Sequence, residues 1–278
     1  MLRDFQKVSA CQVALVNERT VEITLTGVTF SYGPLPCLHN LSLSLQPGTL
    51  YGLIGPNGSG KSTLLDIIGG FARPQGGRVT IGGRRLESYS RGELARLIGV
   101  VPQSFTLNFD YSVEHVVLMG RYPYLKRFSG PSPEDLHQVR HALELLDIAK
   151  LAERPVRTLS GGEKQRVMVA RTLAQDTPVI LLDEATANLD IKHAISIMHI
   201  MAKLVKNSSR TVVAALHDLN MACAYSDQII ALYGGKLVAS GTTEATISPA
   251  LIETLYQVPV TITAGTDDTP QTINYRYH

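Results

Sequence analysis

Apolar residues in this chain form short continuous runs that are separated by stretches with helical spacing. The runs are Leu50 to Ile54, Ile98 to Val101, Val179 to Leu182 and Thr211 to Leu216. Helices are predicted over KSTLLDIIGGF, after the glycine-rich loop that follows the first run, near 91–98, over Glu134 to Leu146 (with Leu136, Val139, Leu143 and Leu146 in phase), from Ser160 to about Gln175 and near 191–206. Apolar runs that alternate with helices predict a mostly parallel sheet covered on both faces.

Alternating apolar and polar residues, or Gly-Gly pairs, mark other strands of the chain. The stretch from Val21 (VEITLTGVTFSY) and the stretch Leu41 to Leu45 predict half-buried strands. Arg78 to Ile81 and Ile229 to Tyr233 each precede a Gly-Gly pair and predict hairpins. Residues 104–158 instead show helical patterns and few strand signals. These patterns together predict an α/β fold.

The composition limits the classes of function. The 278 residues are 44% hydrophobic and 18% charged, which is sufficient for a packed core. Lys and Arg total 26 against 24 Asp and Glu, and this net charge of +2 argues against a dedicated nucleic-acid binder. No apolar run approaches the roughly 18 residues that a membrane span needs, and polar residues interrupt the N-terminus where a secretory signal would lie.

The three cysteines, Cys11, Cys37 and Cys223, are widely spaced and form no CxxC pair. Their number and spacing indicate neither a disulfide framework nor a zinc site. We therefore expect reduced cysteines in an intracellular protein that does not itself enter the membrane.

A glycine-rich loop after the first apolar run has the strongest chemical signal. GPNGSGKS, residues 55–62, fits the phosphate-loop pattern G-x-x-x-x-G-K-[ST] at every position, between a predicted strand and a predicted helix. Backbone N–H groups and the helix N-terminus would bind phosphate, Lys61 would reach the β- and γ-phosphates, and the Ser62 hydroxyl would bind Mg²⁺. The alternative is a glycine-rich turn with an incidental lysine.

Two acidic residues follow the buried run that begins at Val179. Carboxylates at the carboxyl end of a buried strand lie where open α/β sheets bind ligands. Asp183 is therefore a candidate Mg²⁺ ligand and Glu184 a candidate general base toward an attacking water. Without the phosphate loop, the same residues would fit an ordinary turn at the end of a strand.

LSGGE, residues 159–163, supplies a second candidate anion site at a helix start. The alternative is an ordinary capping box, in which Ser160 is the N-cap residue and Glu163 the third helical residue. Two anion sites for one nucleotide suggest a composite site, with one half from each of two molecules.

Seven motifs in order make the chain resemble the nucleotide-binding subunits of ABC transporters over roughly residues 21–260. They are Tyr32 in FSYG, GPNGSGKST at 55–63, Gln103 in VVPQ, LSGGE at 159–163, VILLDE at 179–184, NLD at 188–190 and His217 in LHD. The resemblance implies a P-loop NTPase (RecA-like) core with a mostly parallel sheet, an N-terminal antiparallel β subdomain and an α-helical subdomain inserted at about 104–158. An N-terminal extension at 1–20 and a C-terminal tail at 261–278 would flank this ABC ATPase domain. Ala185 departs from the proline usual in the family, and Asn188 stands where small residues are common.

The resemblance also implies a role for single residues. Tyr32 would stack on adenine, Gln103 would sense Mg²⁺ and the attacking water, and His217 would hydrogen-bond the γ-phosphate. Without the resemblance, Tyr32 would be interpreted as a core tyrosine at the end of a strand and Gln103 as a loop residue. His217 would be interpreted as a histidine at a strand end whose hydrogen bonds are satisfied. Asp190 would bridge the two sites of a dimer, and Ser160 and Gly162 would contact the γ-phosphate held by the opposite subunit. The full predicted set comprises catalytic residues Lys61, Gln103, Glu184 and His217; nucleotide-binding residues Tyr32, Gly55, Pro56, Asn57, Gly58, Ser59, Gly60, Lys61, Ser62 and Thr63; metal ligands Ser62, Gln103 and Asp183; and signature residues Leu159, Ser160, Gly161, Gly162 and Glu163.

Two segments resemble one branch of the family, the ATPases that serve importers of iron–siderophore complexes, haem and cobalamin. They are VVLMGRYPY at 116–124 and LYQVPVTI at 255–262, although VVLMG also fits a core-facing helix. The resemblance implies ATP and Mg²⁺ as cofactors and a second copy of the chain in a head-to-tail ATP sandwich. It also implies two membrane permease subunits docked near 104–125, a periplasmic or surface substrate-binding protein, and a location at the cytoplasmic face of the inner membrane.

Three other functions remain as alternatives. The first is the ATPase of another import or export system. The second is a non-transport ABC ATPase that acts on nucleic acid or ribosomes, which the charge and the short insertion after Gln103 disfavour. The third is a small-molecule kinase, which LSGGE and His217 disfavour.

Overall fold

The computed structural model describes residues 20–103, 105, 110–126, 129–187, 189–266 and 269–276. Nearly all of the predicted extension at 1–20, as well as Asn188, lies outside these ranges. The strands are β1 (Ile23–Tyr32), β2 (Leu35–Leu45), β3 (Leu50–Ile54), β4 (Gly76–Ile81), β5 (Arg84–Arg85), β6 (Ile98–Val101), β7 (Val179–Asp183), β8 (Thr211–Ala215), β9 (Gln228–Tyr233), β10 (Lys236–Thr242), β11 (Val260–Thr263) and β12 (Thr272–Tyr275).

The α-helices begin with the one that follows the glycine-rich loop. They are α1 (Lys61–Ile68), α2 (Arg91–Leu97), α3 (Val113–Leu118), α4 (Pro133–Leu145), α5 (Gly161–Gln175), α6 (Ile191–Ser208), α7 (Leu219–Tyr225), α8 (Thr243–Thr246) and α9 (Pro249–Tyr256). Short 3-10 turns occur at Leu86–Ser88, Met119–Arg121, Ala149–Leu151 and Val156–Thr158.

The central sheet has the order β10-β9-β3-β8-β7-β6 and is parallel except for β10, which pairs with β9 in the antiparallel direction. Its central strands β3, β7 and β8 are buried on both faces, whereas the edge strand β10 is partly exposed. In β7, Ile180 and Leu182 belong to one hydrophobic cluster, whereas Val179 and Leu181 belong to a second cluster on the opposite face. The predicted α/β class and mostly parallel sheet are therefore confirmed.

An antiparallel sheet of order β2-β1-β4-β5 covers one face of the central sheet. Its inward residues, such as Ile23, Leu25 and Val79, share a hydrophobic cluster with Leu53 of β3. This arrangement confirms the predicted N-terminal antiparallel part and places Cys37 and Leu38 of β2 beside Gly60, at the start of α1.

Helices α3, α4 and α5 pack together on the other face of the sheet. Val116 and Val117 are fully buried in α3, as expected for a core-facing helix. The prediction was wrong for Leu136, which is 36% exposed. In the first turn of α4 the inward position is taken by Asp135, which forms a buried ion pair with Arg121.

The C-terminal part contains a helix and a hairpin. Helix α9 follows an N-cap at Ser248, and β11 pairs with β12 in a hairpin. The side chain of Asn220, in α7, donates to the carbonyl of Ile273 at 3.2 Å and accepts from its N–H at 2.7 Å. The hairpin is thereby joined to the helix that follows His217.

Candidate nucleotide-binding site

The glycine-rich loop connects β3 to α1 and has a backbone that only glycine tolerates at its start. Gly55 has φ +148°, and a Cβ there would lie 2.2 Å from the carbonyl oxygen of Leu232 and 2.7 Å from the Ser59 hydroxyl oxygen. Gly60, the N-cap of α1, has φ +102°. These glycines turn the loop sharply and direct the open N-terminus of α1 toward the loop.

Lys61 is 5% exposed and folds back over the loop. Its Nζ donates to the carbonyl oxygens of Gly55 at 2.8 Å and Pro56 at 3.2 Å. Burial lowers the pKa of Lys61, while the nearby carboxylates of Glu184 and Asp183 oppose that shift. A buried cation held by loop carbonyls suits the binding of a phosphate chain.

Ser62 and Asp183 are joined although 121 residues separate them. The Ser62 hydroxyl donates to Asp183 Oδ1 at 2.9 Å, which connects the start of α1 to the end of β7. Burial raises the pKa of Asp183, and Glu184 and Asp66 add to that effect, whereas Ser62 and Lys61 oppose it. Two of the three predicted metal ligands, Ser62 and Asp183, therefore lie together, whereas the third, Gln103, contacts Glu184.

Glu184 lies at the centre of the predicted catalytic residues. Gln103 Nε2 donates to one carboxylate oxygen at 2.5 Å, and His217 Nε2 lies 2.6 Å from the other. The backbone of Glu184 has φ +51°, a left-handed conformation that is uncommon for a non-glycine residue and typical of functional sites. The structure thus brings together Lys61, Gln103, Glu184 and His217, the four predicted catalytic residues.

Around the signature motif, Ser160 forms the N-cap of α5. Its hydroxyl accepts from the N–H of Glu163 at 3.3 Å, and its own N–H donates to Glu163 Oε2 at 2.9 Å. The N–H and the hydroxyl of Ser160 both donate to the Glu163 carboxylate and lower its pKa. Leu159 is buried beneath the turn, while Ser160 and Gly161 are exposed. The capping-box alternative therefore describes the local structure, and the same geometry leaves an exposed helix N-terminus.

Asp190 is exposed and forms the N-cap of α6. It accepts from the backbone N–H of His193 at 2.9 Å, and its other oxygen lies 2.7 Å from His193 Nδ1. The bonds from His193 lower the pKa of Asp190. An exposed, ionised carboxylate at this position is available to a second molecule.

Tyr32, at the end of β1, is 53% exposed, so the core-tyrosine alternative is wrong. Its ring packs edge-on against Phe30 with 4.8 Å between centroids, which leaves much of its surface in solvent. An exposed ring at a strand end can stack on a planar base.

Three contacts at this site were not predicted from the sequence. The hydroxyl of Tyr256, in α9, accepts from the N–H of Gly55 at 2.9 Å. The thiol of Cys37 lies 3.1 Å from the Thr63 hydroxyl, and His193 pairs with Asp190 as described above. The only sequence signal for Tyr256 is its place in the segment LYQVPVTI.

Two features are absent from the described ranges. No helix there has both the length and the hydrophobicity that crossing a bilayer requires. Nor do those ranges hold a group of three or more His, Cys, Asp or Glu side chains that could bind a metal by themselves.

The chain is similar to known proteins over most of its length. A family model described as "ABC transporter" matches residues 38–187. The ferric enterobactin transport ATP-binding protein FepC of Escherichia coli (strain K12) is 39% identical over 229 residues, which are 82% of this chain and 84% of that protein.

Two solved structures have the same fold. A protein described as a metal-chelate type ABC transporter, in an inward-facing conformation, has a TM-score of 0.79 and 28% identity over 92% of this chain and 98% of its own. The dimeric bacterial ABC transporter cassette MJ0796 has a TM-score of 0.73 and 32% identity over 80% of this chain and 98% of its own. The family model covers more than half of the chain and the E. coli relative aligns over most of both proteins, so the chain belongs to the ABC transporter family, as one of its ATP-hydrolysing subunits.

Proposed function

We propose that this chain hydrolyses ATP to energise the uptake of a metal chelate, of the iron–siderophore, haem or cobalamin type, across a membrane. The observation that carries the proposal is the convergence of the phosphate loop with the Glu184 carboxylate and its partners Gln103 and His217. The substrate class rests on the branch resemblance and on relatives named for ferric enterobactin and metal-chelate transport.

Each predicted residue would have a separate role in ATP hydrolysis. The loop N–H groups and Lys61 hold the phosphate chain, which positions it against Glu184. Glu184 takes a proton from the attacking water, and Gln103 orients that water. His217 donates a hydrogen bond to the γ-phosphate as charge develops on it.

The oxygen cluster of Ser62 and Asp183 fits Mg²⁺. This ion prefers one or two oxygen ligands from the protein together with phosphates and water, and the two side chains already lie 2.9 Å apart. Ser62, Asp183 and Gln103 would hold it, and when bound it neutralises charge on the β- and γ-phosphates. Burial destabilises the Asp183 carboxylate, so a cation beside it is favoured.

A second copy of the chain completes each site in this proposal. The exposed N-terminus of α5 at Ser160 to Gly162 would face the γ-phosphate bound by the opposite subunit, and Asp190 would bridge the two sites. The related cassette MJ0796 is described as dimeric, which supports this arrangement.

Two permease subunits would dock near 104–125, although 104 and 106–109 lie outside the described residues. Beside this segment lies a groove of about 650 Å³ lined by Phe71, Leu94, Pro102 and Arg171. Phe71 is 71% exposed and adds apolar surface to this groove. The chain would thereby sit at the cytoplasmic face of the membrane, in a system that also has a periplasmic or surface substrate-binding protein.

ATP binding and hydrolysis by Lys61→Ala test the nucleotide role. We expect Lys61→Ala to lose most ATP affinity, whereas Lys236→Ala, an exposed lysine of β10, should bind and hydrolyse ATP as the wild type does. Unchanged affinity in Lys61→Ala would refute the proposed role of the phosphate loop.

The transport role needs a separate experiment. Co-expression with a candidate permease and its binding protein in vesicles should give ATP-dependent accumulation of a radiolabelled ferric chelate, and Glu184→Gln should abolish it. Co-purification with nucleic acid or ribosomes, without membrane proteins, would instead favour the non-transport alternative.

A further inference from the structure

Helix α9 contacts the phosphate loop from the C-terminal side of the fold. The segment LYQVPVTI, at 255–262, contains its last residues and has no part in the mechanism above. The Tyr256 hydroxyl nevertheless accepts a hydrogen bond from the backbone N–H of Gly55 across 201 residues of chain. We infer that Tyr256 is a positioning residue of the nucleotide site, which fixes the first glycine of the phosphate loop through its hydroxyl group.

Gly55 is the residue through which Tyr256 can act on Lys61. Its N–H is held by Tyr256 at 2.9 Å, and its carbonyl accepts from Lys61 Nζ at 2.8 Å. Both contacts constrain the backbone of one residue. A change in the orientation of Gly55 would therefore also change where the lysine is held.

The packing around the loop makes this hydrogen bond important. A cavity of about 400 Å³ lies between Pro56 to Ser59 on one side and Tyr233, Leu255 and Tyr256 on the other. The loop is consequently not supported by continuous packing on this side. The Tyr256 hydroxyl bridges the two sides next to the point where β3 ends.

The chemistry of the tyrosine suits a permanent structural contact. Burial raises the pKa of Tyr256 to about 12, so the hydroxyl stays neutral at physiological pH. Helix α9 ends at Tyr256, and Gln257 takes the left-handed conformation at φ +57° that stops it. The tyrosine is therefore the last residue of a helix that ends in a left-handed cap.

The chain provides a matched control for the loss of this bond. Tyr51, in β3, also accepts from a backbone N–H through its hydroxyl, that of Gln46 at 2.6 Å. Tyr51 lies in β3, the strand that leads into the phosphate loop, four residues before Gly55 and near the other end of the strand. Tyr51→Phe removes the same kind of bond without touching the nucleotide site.

The test compares Tyr256→Phe, Tyr51→Phe and Lys61→Ala in the full chain. The dissociation constant of MgADP is measured by calorimetry, and KM and kcat are measured for ATP hydrolysis. We expect Tyr256→Phe to raise the dissociation constant and KM about three- to tenfold, the effect of one lost hydrogen bond, with kcat within about twofold. Hydrogen exchange at the Gly55 amide should also become faster.

The outcomes separate the inference from the proposed function on which it rests. A merely structural role of Tyr256 would lower thermal stability and the active fraction but leave KM unchanged, and that result would overturn the inference. An equal rise of KM in Tyr51→Phe would overturn it too. If Lys61→Ala bound nucleotide normally, the proposed function would fail; if only Tyr256→Phe matched the wild type, the inference alone would fail.

Discussion

Arg121, in the segment 116–124 that resembles the metal-chelate importer branch, joins three elements through a buried guanidinium. Its Nε donates to Asp135 Oδ1 at 2.8 Å, and its Nη1 donates to the carbonyl of Ala174 at 2.9 Å, near the end of α5. The guanidinium carbon also lies 4.2 Å from the centre of the Tyr124 ring. Replacing Arg121 with Met should keep most of the volume and remove all three interactions.

The buried ion pair determines how much stability Arg121→Met should lose. The side chains of Arg121 and Asp135 are 8% and 7% exposed, and removing one partner of such a pair costs about 3–5 kcal/mol. Asp135 keeps its hydrogen bonds from the N–H and hydroxyl of Ser132, so we expect a value near the lower end of that range.

The loss of stability in Arg121→Met should depend on pH. Although burial opposes it, hydrogen bonds from Ser132 and Arg121 hold the pKa of Asp135 below its ordinary value. A carboxylate with a depressed pKa contributes stability above its unfolded pKa, and that contribution is lost as the pH falls through the folded value. Arg121→Met should therefore destabilise the protein more at pH 7 than at pH 3.

Urea unfolding followed by circular dichroism measures the effect, with Arg157→Met as the control. Arg157 pairs with Asp110 at 2.7 Å, but the two side chains are 72% and 48% exposed, and such a pair contributes about 0–1 kcal/mol. Equal losses in the two variants, or a loss in Arg121→Met that does not shrink on acidification, would refute the reasoning.

Three further predictions concern the nucleotide site. Gly55→Ala should abolish ATP binding in an equilibrium titration, because its Cβ would lie 2.2 Å from the Leu232 carbonyl oxygen; normal binding would contradict the loop geometry. Burial raises the pKa of Asp183, so Mg²⁺-dependent ATP binding should weaken on acidification at a higher pH than an ordinary aspartate would give; Asp183→Asn should lose this pH dependence. Tyr32→Ala should weaken ATP binding by about 1–3 kcal/mol, while tripolyphosphate, which lacks the base, should bind as before.

Those parts of the fold that depend on local pattern were predictable from the sequence. The runs Leu50 to Ile54 and Ile98 to Val101 coincide with β3 and β6, because strands buried on both faces are apolar throughout. Helix α1 begins at Lys61, as the phosphate-loop pattern requires. The helix of Glu134 to Leu146 was shifted by one residue at each end.

Contacts between side chains that are far apart in the sequence were harder to predict. The resemblance implied roles for Gln103 and His217, but no periodicity indicates that both meet Glu184, since the sheet order brings their strands together. The left-handed backbone of Glu184 has no signal in the side chain itself. The contact of Tyr256 with Gly55 spans 201 residues and depends on the docking of a helix in a weakly patterned segment.

The central claim is that two copies of this chain together bind and hydrolyse ATP. The most direct measurement is the molar mass of Glu184→Gln by light scattering, with and without MgATP. The account predicts a monomer without nucleotide, a dimer with ATP, and no dimer when Ser160→Arg is added. A Glu184→Gln chain that binds ATP yet remains a monomer, or that still hydrolyses ATP at the wild-type rate, would contradict it.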